Sequence, residues 1–186
     1  MNKAELNKAE MITEPSPDQL FKNIYYLCTM KEIIYYSESD FTEYSENGIT
    51  AFVPIVRSKP ELLDALAKGL DFPNYFGRNW DALIDMFRTL DWIDENKIYV
   101  IHKRISDLPE KDLSNYMFIV YVIATFWRLY PSEHQVYFMF DIAEKEKIEP
   151  IFWKEAENVE QEWRKSSDHG ENDGAFLSEF ADQRVD

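Results

Sequence analysis

Residues 50–70, TAFVPIVRSKPELLDALAKGL, change their hydropathic period part-way along. Thr50 to Val56 read as a strand, with Pro54 unable to donate a ladder hydrogen bond and so restricting pairing near its end. Ser58, followed by Pro60 and Glu61, makes a capping-box pattern. Leu62, Leu63, Leu66 and Leu70 then recur at helical spacing, which predicts a helix from Lys59 to about Leu70.

Working outward, a loop follows from Asp71 to Gly77. A second helix is expected from Trp80 to about Leu90, with Asn79 as its N-cap and Asp81 in the first turn, where negative charge suits the helix dipole. Lys97 to Lys103 (KIYVIHK) is a strand, a long apolar helix runs from after Pro109 to about Tyr130 and stops at Pro131, and Gln135 to Asp141 (QVYFMFD) is a third strand. The order β-α-α-β-α-β predicts an α/β fold: a small three-stranded parallel sheet flanked by helices, with right-handed crossovers. Upstream, a polar arm reaches Pro15 and Pro17, and the runs Asn23 to Cys28 and Glu32 to Tyr36 suit a β-hairpin. Downstream, Pro150 is placed like an N1 proline, and Phe152, Ala156, Val159 and Trp163 form a narrow apolar stripe on an amphipathic helix. From Ser166 on, the residues are small or charged apart from Phe176, Leu177 and Phe180. The expected division is an N-terminal extension (1–48), a central domain (49–142) and an acidic C-terminal helix and tail (143–186).

Charge narrows the function. The 186 residues carry 20 Lys+Arg against 35 Asp+Glu, a formal net charge of −15, yet 45% are hydrophobic and 16% aromatic, the composition of a folding chain. Phosphate contact needs clustered Lys and Arg, so direct binding of nucleic acid or of an anionic membrane is disfavoured and a basic protein partner is favoured. Cys28 is the only cysteine, which leaves no internal disulfide and points to a reducing, cytoplasmic location. The first twenty or so residues lack the apolar core of a signal peptide. The densest apolar run, Tyr116 to Trp127, is shorter than the ~18 residues a membrane span needs. From Asp141 onward 14 acids face 6 bases, so about half of the net charge lies at this end.

The charge that can carry specificity sits on the second helix. At about 100° per residue with Asp81 at zero, Leu83, Phe87 and Leu90 fall near 200°, 240° and 180°, whereas Asp85 falls near 40° and Arg88 near 340°. The two carboxylates project together, one turn apart and away from the core, with Trp80 and Ile84 along one flank and Tyr75 and Phe76 in the preceding loop. This is an anionic recognition surface whose natural target is cationic. The alternative is an ordinary solvated face, with Asp81 complementing the helix dipole and Asp85 paired with Arg88 at i+3. His102, His134 and His169 show no metal spacing, and neither a nucleophile elbow nor a phosphate loop occurs, so no metal, cofactor or catalytic residue is assigned.

Residues 70–92 carry more. Leu70-x-x-Pro73, Tyr75-Phe76-Gly77, Asn79, Trp80-Asp81-Ala82-Leu83, Asp85 and the Asp91-Trp92 pair resemble the signature segment of the barstar family, intracellular inhibitors of secreted ribonucleases. The similarity extends from about Thr50 to Asp141. It implies a protein that plugs the active site of a basic ribonuclease or toxin nuclease, acting as an immunity protein and not as an enzyme. By the same resemblance Asp81 and Asp85 mimic RNA phosphates, Tyr75 supplies an aromatic contact, Gly77 a special backbone conformation, and Asn79 a cap or a contact; Phe76, Trp80 and Ile84 complete the partner-binding set. Three departures are visible. Ile84 stands where the type inhibitor has a large aromatic, Trp80 where it has an aliphatic residue, and the last helix of the domain reads Phe126, Trp127, Arg128 where that inhibitor has a contact acid. A barstar-fold module for a different cationic protein is therefore the second expectation, and an enzyme using Asp81 and Asp85 the third.

Overall fold

The computed structural model describes residues 33–38, 48–129 and 134–167. Its elements are β1 (Ile34–Ser37), β2 (Ile49–Ile55), α1 (Lys59–Gly69), α2 (Trp80–Thr89), β3 (Lys97–Arg104), α3 (Glu110–Leu129), β4 (Gln135–Asp141), a 3₁₀ turn (Ile142–Glu144) and α4 (Lys145–Ser167). The arm before residue 33, the run Asn23 to Cys28 and the tail with Phe176, Leu177 and Phe180 lie outside the described residues.

The expected helices begin where their caps say. Ser58 accepts from Glu61 N, and Asn79 Oδ1 accepts from Ala82 N at 2.8 Å. The strands are all parallel, as expected, but the sheet has four of them in the order β1-β4-β3-β2, not three. The added strand is the second of the two upstream runs. Ile34 to Ser37 align with Phe138 to Asp141 and satisfy the backbone edge that β4 would otherwise expose. The parallel sheet flanked by helices is what the expectation and the structure share.

Alternation along the strands separates two faces. Ala51, Val53, Ile98, Val100, Phe138 and Phe140 face the helices and belong to one core with Leu62, Leu66, Leu83, Phe87, Tyr116 and Val120. On the reverse face Ile101 and Met139 form a second, small cluster with Tyr35 and Tyr99. Gly69, at the end of α1, lies so close to β2 that a Cβ there would stand 2.8 Å from Ala51 Cβ. At the end of β3, Glu144 Oε2 accepts from Ile105 N at 3.2 Å and Ser106 N at 2.9 Å, closing the turn into α3.

Of the buried polar groups described, one lies among the aromatic rings of the main core. His102 is buried on β3; its Nδ1 lies 2.9 Å from Met139 O and its Nε2 2.7 Å from the Tyr116 hydroxyl. A carbonyl can only accept, so Nδ1 carries the proton and Nε2 accepts from Tyr116. Burial lowers the His102 pKa to about 4 and pushes the Tyr116 phenol up, so both stay neutral.

The C-terminal helix starts earlier than Pro150 suggested. Asp141 caps the 3₁₀ turn, the chain continues straight into α4 at Lys145, and Pro150 lies inside the helix instead of at its first position. Ile148, Phe152, Ala156 and Val159 are buried in the main core, and Ser114 and Tyr121 on α3 donate to Glu155 and Glu160 on α4, each at 2.9 Å. No helix among the described residues is long and apolar enough to cross a membrane.

Candidate functional site

The site is built on α2 and on the loop that leads into it. α1 ends at Leu70, and the turn that follows uses left-handed backbone at Asp71 (φ 49°). A second left-handed residue, Arg78 (φ 52°), turns the chain into the extended Asn79 cap. The special conformation expected of Gly77 therefore falls on its neighbour. Glycine supplies no side chain at 77, whereas Arg78 reaches back to pair with Asp64 of α1.

Asp81 and Asp85 are both exposed, and Leu83, Phe87 and Leu90 are fully buried on the opposite side of α2. Asn79 is exposed and its side-chain oxygen caps α2. Arg88 forms none of the described ion pairs with Asp85. Its guanidinium lies 5.4 Å from the centre of the Phe126 ring.

Three expected contact residues point inward instead. Trp80 is 3% exposed, Ile84 2% and Phe76 9%, all part of the main core. The reason is that α2 packs on two sides. Phe87 meets Phe138 of the sheet at 5.6 Å, while Trp80 stacks on Tyr116 of α3 at 6.4 Å. The buried arc thus spans roughly 140° to 300° on the wheel, wider than the stripe through Leu83, Phe87 and Leu90. Lys59 Nζ lies over the Trp80 ring, 4.7 Å from its centre.

Tyr75, 70% exposed, is the large aromatic that does face solvent beside the acids. The outward surface is therefore Tyr75, Gly77, Arg78, Asn79, Asp81 and Asp85. Arg78 and Asp64 were missed from sequence; an exposed i-to-j pair across a loop leaves no periodic signal. Among the described residues no group of three His, Cys, Asp or Glu side chains is gathered as a metal site. The arrangement exposes two carboxylates, one phenol ring and the Arg78 side chain.

Residues 50–140 match the sequence model of the family described as barstar, the barnase inhibitor. Residues 50–140 belong to the barstar family. Barstar-type sequence thus covers β2 through nearly the whole of β4, and it contains every residue of the outward surface. No curated protein matches the chain. Strand β1 and helix α4 lie outside the barstar match, yet both share its core.

Proposed function

We propose that this chain is a barstar-type inhibitor that docks the outward face of α2 into the active site of a basic ribonuclease or toxin nuclease, acting in the cytoplasm as an immunity protein. The observation that carries it is the exposed pair Asp81 and Asp85 on one helix face beside Tyr75, inside the segment matched to the family of barnase inhibitors. Two carboxylates one helical turn apart repeat the charge pattern of neighbouring phosphates, and a cationic catalytic cleft attracts both. The net charge of −15 adds long-range steering that raises the association rate more than the final affinity. Residues 49–142 carry recognition in this reading.

RNA hydrolysis by barnase and by a panel of other basic ribonucleases, measured with increasing amounts of the chain, tests the reading. Inhibition with one-to-one stoichiometry is expected against at least one of them. Asp85→Ala should then weaken binding by about 2–5 kcal/mol, the range for losing one partner of a buried interfacial charge pair, with barnase and barstar among the proteins that set it. Equal inhibition by Asp85→Ala and the unmutated chain would remove Asp85 from the site.

A second reading is favoured by one observation: with Trp80 and Ile84 in the core, Tyr75 is left as the lone large aromatic of the outward surface, and Arg78 adds a positive charge to it. A cationic protein outside the nuclease class would suit that mixed surface. Capture of such a protein, lost in Asp85→Ala and without any effect on RNA hydrolysis, distinguishes this reading from the first.

A further inference from the structure

The loop 71–79 must hold Tyr75 at a set place relative to Asp81 and Asp85, and it has little regular backbone bonding with which to do so. Phe72 N bonds to Ala67 O and Phe76 N to Pro73 O, each at 2.9 Å. The remaining restraint comes from behind. Trp92 Nε1 donates to Leu70 O at 2.9 Å, joining residues 22 apart in sequence. Leu70 is where α1 ends, and Trp92 lies just past Leu90, where α2 ends. One hydrogen bond therefore closes a ring made of the end of α1, the loop, α2 and the turn after it.

The ring is filled by Phe72. Its side chain meets Phe76 at 5.0 Å, Phe87 at 6.0 Å and Trp92 at 5.8 Å, all edge-on, the favoured geometry for aromatic pairs. At the far end of α2, Trp127 Nε1 donates to Phe87 O at 2.9 Å and fixes the helix to α3. Tyr75 stands on the outer side of this closed unit, and Trp92 is half-buried on the inner side.

We infer that Trp92 is the positioning residue of the recognition surface: by holding Leu70 O and the Phe72 ring it sets Tyr75 against Asp81 and Asp85 before a partner arrives. The inference rests on the reading of that surface as a docking site. Its consequence is a preorganised loop, which loses little conformational freedom on binding. Trp92 acts through the loop and touches no partner.

The test uses the full chain with Trp92→Phe, which removes the indole donor and leaves a ring edge for Phe72. In the free protein, amide hydrogen exchange at 72–79 should speed up by about ten-fold, the scale of one lost hydrogen bond, while exchange in β3 and β4 stays unchanged. With barnase as the probe, dissociation should rise by about ten-fold and association, set by the acids, should change less than about two-fold. In a Tyr75→Ala background the Trp92→Phe effect on dissociation should shrink to less than about two-fold, because the two changes act through one contact. Should Trp92→Phe fail to fold, Phe72→Leu, with the indole bond intact, should loosen the same amides. Unchanged loop exchange, equal acceleration in β3 and β4, or a full effect on dissociation in the Tyr75→Ala background would each overturn the inference. If the unmutated chain does not bind barnase, the binding reading fails for that probe, and the exchange comparison alone still decides whether Trp92 sets the loop.

Discussion

Acidification from about pH 7 to about pH 5 should destabilise this protein through His102. In the fold His102 is neutral, with Nδ1–H bonded to Met139 O, Nε2 accepting from Tyr116, and the ring stacked on Phe140 at 4.5 Å. Its pKa falls from 6.5 to about 4 because burial disfavours the cation. A folded value below the unfolded one means that the unfolded chain takes up the proton first. The stabilisation is fully present above the unfolded value, is lost as the pH falls between the two, and changes no further below about 4. Its full size is about 3 kcal/mol, at about 1.4 kcal/mol per tenfold, and about 2 kcal/mol of it is lost between about pH 7 and pH 5. The net charge of −15 opposes this, since protonating carboxylates relieves repulsion, so a control is needed. Urea denaturation of the unmutated chain and of His102→Gln, which cannot titrate, supplies it. With an m-value of about 2 kcal/mol per molar, the unmutated midpoint should fall by about 1 M more than that of the variant over this range. The same pH slope in both proteins would refute the assignment of the linkage to His102.

Two further substitutions probe the frame of the site. Gly69→Ala, normally favourable in a helix by about 1 kcal/mol, should instead destabilise by about 1–3 kcal/mol because the new methyl meets Ala51 Cβ at 2.8 Å and Ala51 Cα at 3.0 Å. Adding Ala51→Gly should recover part of the loss, and a raised urea midpoint in Gly69→Ala alone would contradict the close approach. Asn79→Ala should cost about 1 kcal/mol by removing the bond to Ala82 N, whereas Asn79→Asp should retain most of it; equal loss in both would show that the side chain does something other than cap.

What was legible in the sequence was what depends on near neighbours along the chain. The starts of α1 and α2 follow from Ser58 and Asn79, whose side chains serve amides three residues away, and the ranges of β3 and β4 follow from their apolar runs. The outward direction of Asp81 and Asp85 was equally readable, because helical periodicity places them opposite Leu83, Phe87 and Leu90. The inward turn of Trp80 and Ile84 was not readable. A wheel shows which residues share a face but not how many neighbours a helix will have, and α2 has both the sheet and α3.

The sequence by itself determined the order of strands and helices, the acid pair and the family, since each is written in local spacing or in a contiguous motif. Tertiary structure alone decided that Ile34 to Ser37 add a fourth strand beside β4, that the left-handed turn falls on Arg78 and not Gly77, and that Trp92 closes the loop onto Leu70. Pairings between residues distant along the chain are selected by which edges, carbonyls and cavities remain unsatisfied once the core has packed, and that selection leaves no period in the sequence.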